Sequence, residues 1–141
     1  MATSSVLRIS EASSLGMHAM ALLAGRPGRR VPVAEIAFVL KASEAHLSKV
    51  MQRLGRAGLV RSARGPKGGF TLAKDPGRIC LKEVYEAIEG PMASSRCLLG
   101  RPVCGRGKCI LGGLIRSVDT QLRKHFQATS LSDLAGVFEG K

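Results

Sequence analysis

The stretch Ser43–Leu72, SEAHLSKVMQRLGRAGLVRSARGPKGGFTL, decides the fold. Its first part places Leu47, Val50, Met51 and Leu54 at i, i+3, i+4 and i+7, a single apolar stripe along a helix. Ser43 is suited to cap that helix at its start and Gly58 to cap its end. The second part predicts two short strands, Leu59–Ser62 and Gly69–Leu72, joined by the segment 63–68. That joining segment carries Arg64 and Lys67 on a frame of Gly65, Pro66 and Gly68, which lets backbone approach another molecule closely.

Upstream, Val33, Ile36, Ala37 and Leu40 repeat the same helical spacing, and about three residues, ending with Ser43, separate the two helices. Two short helices so joined form a helix-turn-helix pattern, which alone is weak because helical hairpins are common in all-α proteins. A hairpin directly after it reads as a wing, and the pair is far more specific. Leu15, Ala19, Leu22 and Leu23 give an earlier helix ended by Gly25, Pro27 and Gly28. Downstream, Asp75, Pro76 and Gly77 make a turn, and Leu81, Val84, Tyr85 and Ile88 mark a fourth amphipathic helix closed by Gly90 and Pro91. A glycine- and cysteine-rich loop follows, then a long helix predicted over Ile110–Phe126 with Leu111, Leu114, Ile115, Val118, Leu122 and Phe126 on one stripe. A chain of this size has little left to cover that stripe, so the equivalent helix of a second copy is the expected cover, with burial in the same subunit as the alternative. Ser130 and Asp133 resemble a capping box for a last short helix. The expected fold is therefore mainly α with a small β-hairpin wing: a winged helix-turn-helix over residues 1–90, a cysteine-rich loop over 91–109, and a dimerisation helix with a C-terminal helix over 110–141.

The 141 residues amount to one domain, and 45% apolar content excludes a disordered basic tail. Lysine and arginine outnumber acidic residues 22 to 10, for a formal charge of +12. Residues 1–79 hold 13 basic and 4 acidic side chains, so the positive field belongs to the helix-turn-helix part. Such a field favours a polyanion: DNA, RNA or an anionic membrane surface. One tyrosine and four phenylalanines offer few platforms for stacking single-stranded bases, which leaves a basic RNA-binding accessory role as the weaker reading. No apolar run is long enough to span a bilayer, and Glu11 and His18 spoil a signal-peptide reading of Leu15–Ala24, so a cytoplasmic location is expected. An enzyme is not expected: there is no phosphate-binding loop and no nucleophile–base constellation, and His18, His46 and His125 are scattered.

Cys97, Cys104 and Cys109 fall within one loop as Cys-x6-Cys-x4-Cys, while Cys80 stands apart before an apolar helical face and reads as a core residue. Arg96, Arg101, Arg106 and Lys108 surround the three thiols, and nearby cations favour thiolate. Thiolates select iron-sulfur clusters or zinc. The six- and four-residue gaps fit poorly to the short knuckles of structural zinc, which puts an iron-sulfur cluster first and leaves zinc or a metal-free thiol switch as alternatives.

The order of helix-turn-helix, GLVRSARGPKGGFTLAK (58–74), ICLKEVYEAIEG (79–90), three-cysteine loop and long helix resembles the Rrf2 family of winged-helix regulators of the IscR and NsrR type. The resemblance covers about residues 7 to 135, and its wing signature R-G-x-x-G-G-[FY]-x-L stands at Arg64–Leu72. It implies a homodimer on double-stranded promoter DNA, the third helix in the major groove and the wing in the minor groove. With the core positions of that helix fixed, Ser43, His46, Ser48, Lys49 and Arg53 are left for bases and phosphates, and Arg64, with Lys67 beside it, for the minor groove. It further implies that Cys97, Cys104 and Cys109 hold a [2Fe-2S] or [4Fe-4S] cluster reporting iron-sulfur status, redox state or nitric oxide. The chain departs from the family pattern at the fourth ligand: Gly112 and Ser14 stand where members have a histidine or an acidic residue, with Glu11 and His18 within a turn of Ser14. A cluster with three protein ligands is expected to be labile.

Overall fold

The computed structural model describes residues 9–92, 97–99, 101 and 103–140. The elements run α1 (Glu11–Ala24), α2 (Val33–Leu40), α3 (Glu44–Arg56), β1 (Val60–Ala63), β2 (Gly69–Leu72), α4 (Leu81–Glu89) and α5 (Leu114–Ala128), with short 3-10 turns at Pro76–Arg78 and Leu131–Leu134. This is the expected winged-helix architecture. β1 and β2 pair antiparallel with Val60 opposite Leu72 and Ala63 opposite Gly69. Val31 adds a one-residue bridge to Phe70 on the other side of β2.

Local chemistry sets the helix ends. Ser10 caps α1 by accepting from the Ser13 amide, and Ser43 caps α3 by accepting from the His46 amide at 3.2 Å. After α3 the chain reverses through Gly58 at φ 77°, a left-handed conformation that glycine adopts without steric cost. The turn from α2 to α3 uses Lys41 in the same region, at φ 54°.

Three boundaries differ from the expectation. Leu59 belongs to the helix exit rather than to β1, because its amide donates to the Leu54 carbonyl. The long helix begins at Leu114 instead of Ile110: Gly112 turns at φ 60° and Gly113 occupies the N-cap, so the preceding residues form turns. The last element is a 3-10 turn, although Ser130 and Asp133 do form the predicted capping box. Cys80 is half-buried at the N-cap of α4 rather than in the core.

The core is built around α1. Ala19, Met20 and Leu22 are fully buried there with Ile36 of α2, Leu47, Met51 and Leu54 of α3, and Val84 of α4. Gly16 lets α4 come close, since a Cβ there would lie 2.2 Å from Ile88 Cδ1. Leu131, far along the chain, is also fully buried, so the segment after α5 returns to close the core. The predicted stripe of α5 is covered only in part: Ile115 and Phe126 are buried, while Leu111 and Leu114 are exposed.

Candidate nucleic-acid interface and cysteine loop

The buried stripe of α3 fixes which side of that helix faces solvent. With Leu47, Val50, Met51 and Leu54 turned inward, the opposite side centres on Ala45, Lys49, Gln52 and Arg56, all exposed. Ser48 lies half-buried beside this strip. His46 and Arg53 lie on its flank and engage neighbouring elements. His46 Nδ1 lies 4.0 Å from Glu11 Oε1, and Arg53 Nη1 donates to the Ile88 carbonyl at 3.4 Å. Ser43 is exposed, with its hydroxyl oxygen occupied as the helix cap. Ala45, Gln52 and Arg56 were passed over in the sequence; projecting the core stripe through the helix axis is the signal that finds them.

The wing tip projects Arg64 and Lys67 into solvent. Its glycines are geometrically required. A Cβ on Gly68 would meet the Ala63 carbonyl oxygen at 2.4 Å, and one on Gly69 would meet the Val31 carbonyl carbon at 2.6 Å. Gly65 turns at φ 98°, and its carbonyl accepts from the Gly68 amide at 2.8 Å. The result is a tight, narrow tip carrying two cations, a shape that suits a groove or a phosphate ridge.

The cysteine loop connects α4 to α5. Cys104 is exposed, and Cys97 and Cys109 are half-buried. Cys97 Sγ donates to the Arg101 carbonyl at 3.3 Å, and Cys109 Sγ accepts from the Leu111 amide at 3.4 Å. Among the described residues no three His, Cys, Asp or Glu side chains gather as a metal site, so the loop supplies the donor chemistry of a cluster without its assembled geometry. Arg101, Arg106 and Lys108 are exposed around it, while Arg96 lies outside the described residues.

The loop leaves α4 through a clamp at Met92. Its amide donates to Glu86 Oε2 at 2.7 Å, and its carbonyl accepts from Arg123 Nη2 of α5 at 2.9 Å. Arg123 also pairs with the buried Asp119 at 3.0 Å. At the same end of α4, Glu89 accepts from the Ser10 hydroxyl and, at 2.7 Å, from the buried Ser13 hydroxyl. A carboxylate at the start of α1 is well matched to the helix dipole. The end of α4 thus touches the loop, α5, α1 and, through Ile88, α3.

A winged helix-turn-helix with a basic first part and a long C-terminal helix defines a transcription regulator rather than an enzyme, and the comparisons agree. Residues 9–136 match the family model Rrf2, described as an iron-dependent transcriptional regulator. The chain belongs to the Rrf2 family of transcriptional regulators. It is 33% identical over 133 residues to a protein of Aquifex aeolicus (strain VF5) named as an HTH-type transcriptional regulator, covering 92% of each chain. It is 34% identical over 105 residues to the regulator IscR of Xenorhabdus nematophila, a match spanning 74% of this chain and 63% of that one. Among solved structures, CymR, the global cysteine regulator of B. subtilis, superimposes with a TM-score of 0.78 at 28% identity, covering 94% of this chain and 99% of that one. IscR of T. potens shares the fold, with a TM-score of 0.71 at 24% identity over 94% and 89% of the two chains. Among the described residues, no helix is long and apolar enough to cross a membrane.

Proposed function

We propose that this regulator binds duplex promoter DNA as a homodimer, with α3 in the major groove and the wing in the adjacent minor groove, and that the state of its cysteine loop sets the affinity. The observation that carries the reading is the wing tip: Arg64 and Lys67 stand exposed on a glycine frame in which Gly68 and Gly69 leave no room for a side chain, next in sequence to a helix presenting Lys49 and Ser48. Arg64 is the minor-groove residue. Lys49, Ser48 and the neighbouring Gln52 face bases, Arg56 and Arg53 hold phosphate, and His46 and Ser43 complete the edge of the contact surface. The second copy covers the apolar surface left by the loop and by α5, where Leu98, Leu99, Ile110 and Leu114 are exposed.

In this reading Cys97, Cys104 and Cys109 hold an iron-sulfur cluster. When bound, such a cluster supplies sensitivity to oxidants, nitric oxide or iron supply, because its charge or its presence changes with them. This chain's own part is to transmit the change, since the clamp at Met92 ties the loop to α4 and the Ile88 carbonyl ties α4 to Arg53 of α3. A second reading, a metal-free thiol sensor, is favoured by the contacts of Cys97 and Cys109 with loop backbone and by the likeness to CymR.

Anaerobic purification with iron and sulfide analysis separates the two. Under the first reading the protein is coloured, and C97A/C104A/C109A bleaches it; colour retained in the triple variant refutes the cluster. Under the second, peroxide abolishes duplex binding by protein that contains neither iron nor sulfide. In both, duplex affinity falls steeply as salt rises; a preference for RNA over the duplex would refute the common ground.

A further inference from the structure

The sheet carries a second cationic feature, set back from the wing tip. Val31 and Phe70 exchange two backbone hydrogen bonds, at 3.0 and 2.9 Å, so the chain before α2 lies antiparallel along the free edge of β2. That pairing puts Arg30 opposite Thr71, and the hairpin register puts Arg61 opposite Thr71 on its other side. Arg30, Thr71 and Arg61 therefore form one row across the sheet. Side chains alternate between faces along a strand. Val31, Val60, Phe70 and Leu72 turn toward the core, so the Arg30–Thr71–Arg61 row faces outward.

The next outward row is Ala63 and Gly69, which have almost no side chain. It leaves a cleft of about 270 Å³ that both arginines and Thr71 line. Among the described residues, no acidic side chain lines this cleft and neither arginine has an ion-pair partner, in contrast to Arg29 next door, which pairs with Glu35 at 2.9 Å. Two inter-strand spacings separate the arginine backbones by about 10 Å, close enough for both guanidinium groups to converge on one small anion above Thr71. Its polar lining residues are the two arginines, whose planar forks only donate, with Thr71 and Ser62, whose hydroxyls can donate. A tetrahedral oxyanion with several acceptor oxygens matches that set, while a metal ion or an apolar ligand does not.

We propose that Arg30, Thr71 and Arg61 form a phosphate subsite on the outer face of the wing sheet, separate from the wing tip, and that it takes a phosphodiester of the bound nucleic acid. The choice of a nucleic-acid phosphate over free phosphate rests on the duplex-binding reading above; the subsite itself does not. It extends the backbone footprint beyond the groove contacts and anchors the base of the wing while Arg64 works at the tip.

The test measures binding of a labelled mixed-sequence duplex across a salt series, by wild type, R30A, R61A, R30A/R61A, R30K/R61K and the charge-matched control R78A/K82A. R30A/R61A is expected to weaken binding about tenfold and to lower the slope of log affinity on log salt by about one. R30K/R61K should restore the slope but only part of the affinity, because an ammonium lacks the fork. A second arm follows the Arg30 and Arg61 Nε–H resonances while inorganic phosphate is added without DNA. Shifts at both residues with duplex affinity unaltered in the double variant would assign the subsite to free phosphate. If wild type fails to bind duplex but the resonances still move, the regulator reading fails and the subsite stands. The proposal is overturned if R78A/K82A weakens binding as much as R30A/R61A, or if neither duplex affinity nor the arginine resonances respond.

Discussion

The wing shows how single residues decide what this hairpin can do. Gly69 has φ 147° and no space for a Cβ against the Val31 carbonyl, so Gly69→Ala is expected to cost about 2 kcal/mol or more, read as a lowered unfolding midpoint. Arg64 differs in kind. It is exposed and, among the described residues, has no side-chain hydrogen bond or ion pair, so Arg64→Ala should leave the melting temperature unchanged and weaken duplex binding by at least about tenfold, as loss of one good groove contact does. A thermal melt beside a binding isotherm separates the two effects. Both positions stood out in the sequence through the spacing of glycines around Arg64. The reason for Gly69 did not, because its obstruction is Val31, thirty-eight residues away and paired to the hairpin only in the folded sheet.

Among the elements, α3 and α5 carry the main consequences. Ser43→Ala removes the side-chain cap of α3, at about 1 kcal/mol of stability, and frays the first turn of that helix; amide exchange in that turn should rise. The cap, the core stripe and both ends of α3 were legible from periodicity. The engagement of His46 and Arg53 was not, since they are drawn aside by Glu11 and by the Ile88 carbonyl, groups supplied by α1 and α4. For α5, an i, i+4 pattern continued back to Ile110, but the Gly112–Gly113 pair stopped the helix. Arg123→Ala opens the clamp on Met92, and trypsin should then cut the loop at Arg106 or Lys108 several-fold faster than in wild type. Unchanged cleavage would show that Glu86 alone fixes the loop's exit.

The whole molecule poses the question of what lies against its bare apolar surface. Ile110, in the turns before α5, is 81% exposed and Leu114, at its first residue, is 56% exposed, adjoining a loop that exposes Leu98, Leu99 and Val103. In the homodimer proposed above the second copy covers that surface, and the double variant I110K/L114K should then sediment as a monomer. It should also lose more than about tenfold in duplex affinity, because two reading heads on one duplex gain from effective concentration. A variant that stays dimeric would locate the interface elsewhere.

What the amino-acid sequence determined by itself is what depends on neighbours within a few residues: helical stripes, caps, turns and the glycine frame of the wing. The excess of cations over residues 1–79 and the three closely spaced thiols belong to the same category, because count and spacing need no fold. The tertiary structure alone decided contacts between residues far apart in the chain. It buried Leu131 in the core of α1, drew Arg53 to the end of α4, clamped Met92 between Glu86 and Arg123, and set Arg30 across Thr71 from Arg61. Packing makes that difference: the chain surrenders conformational freedom only once, and the contacts which repay it are chosen by the shape of the assembled core.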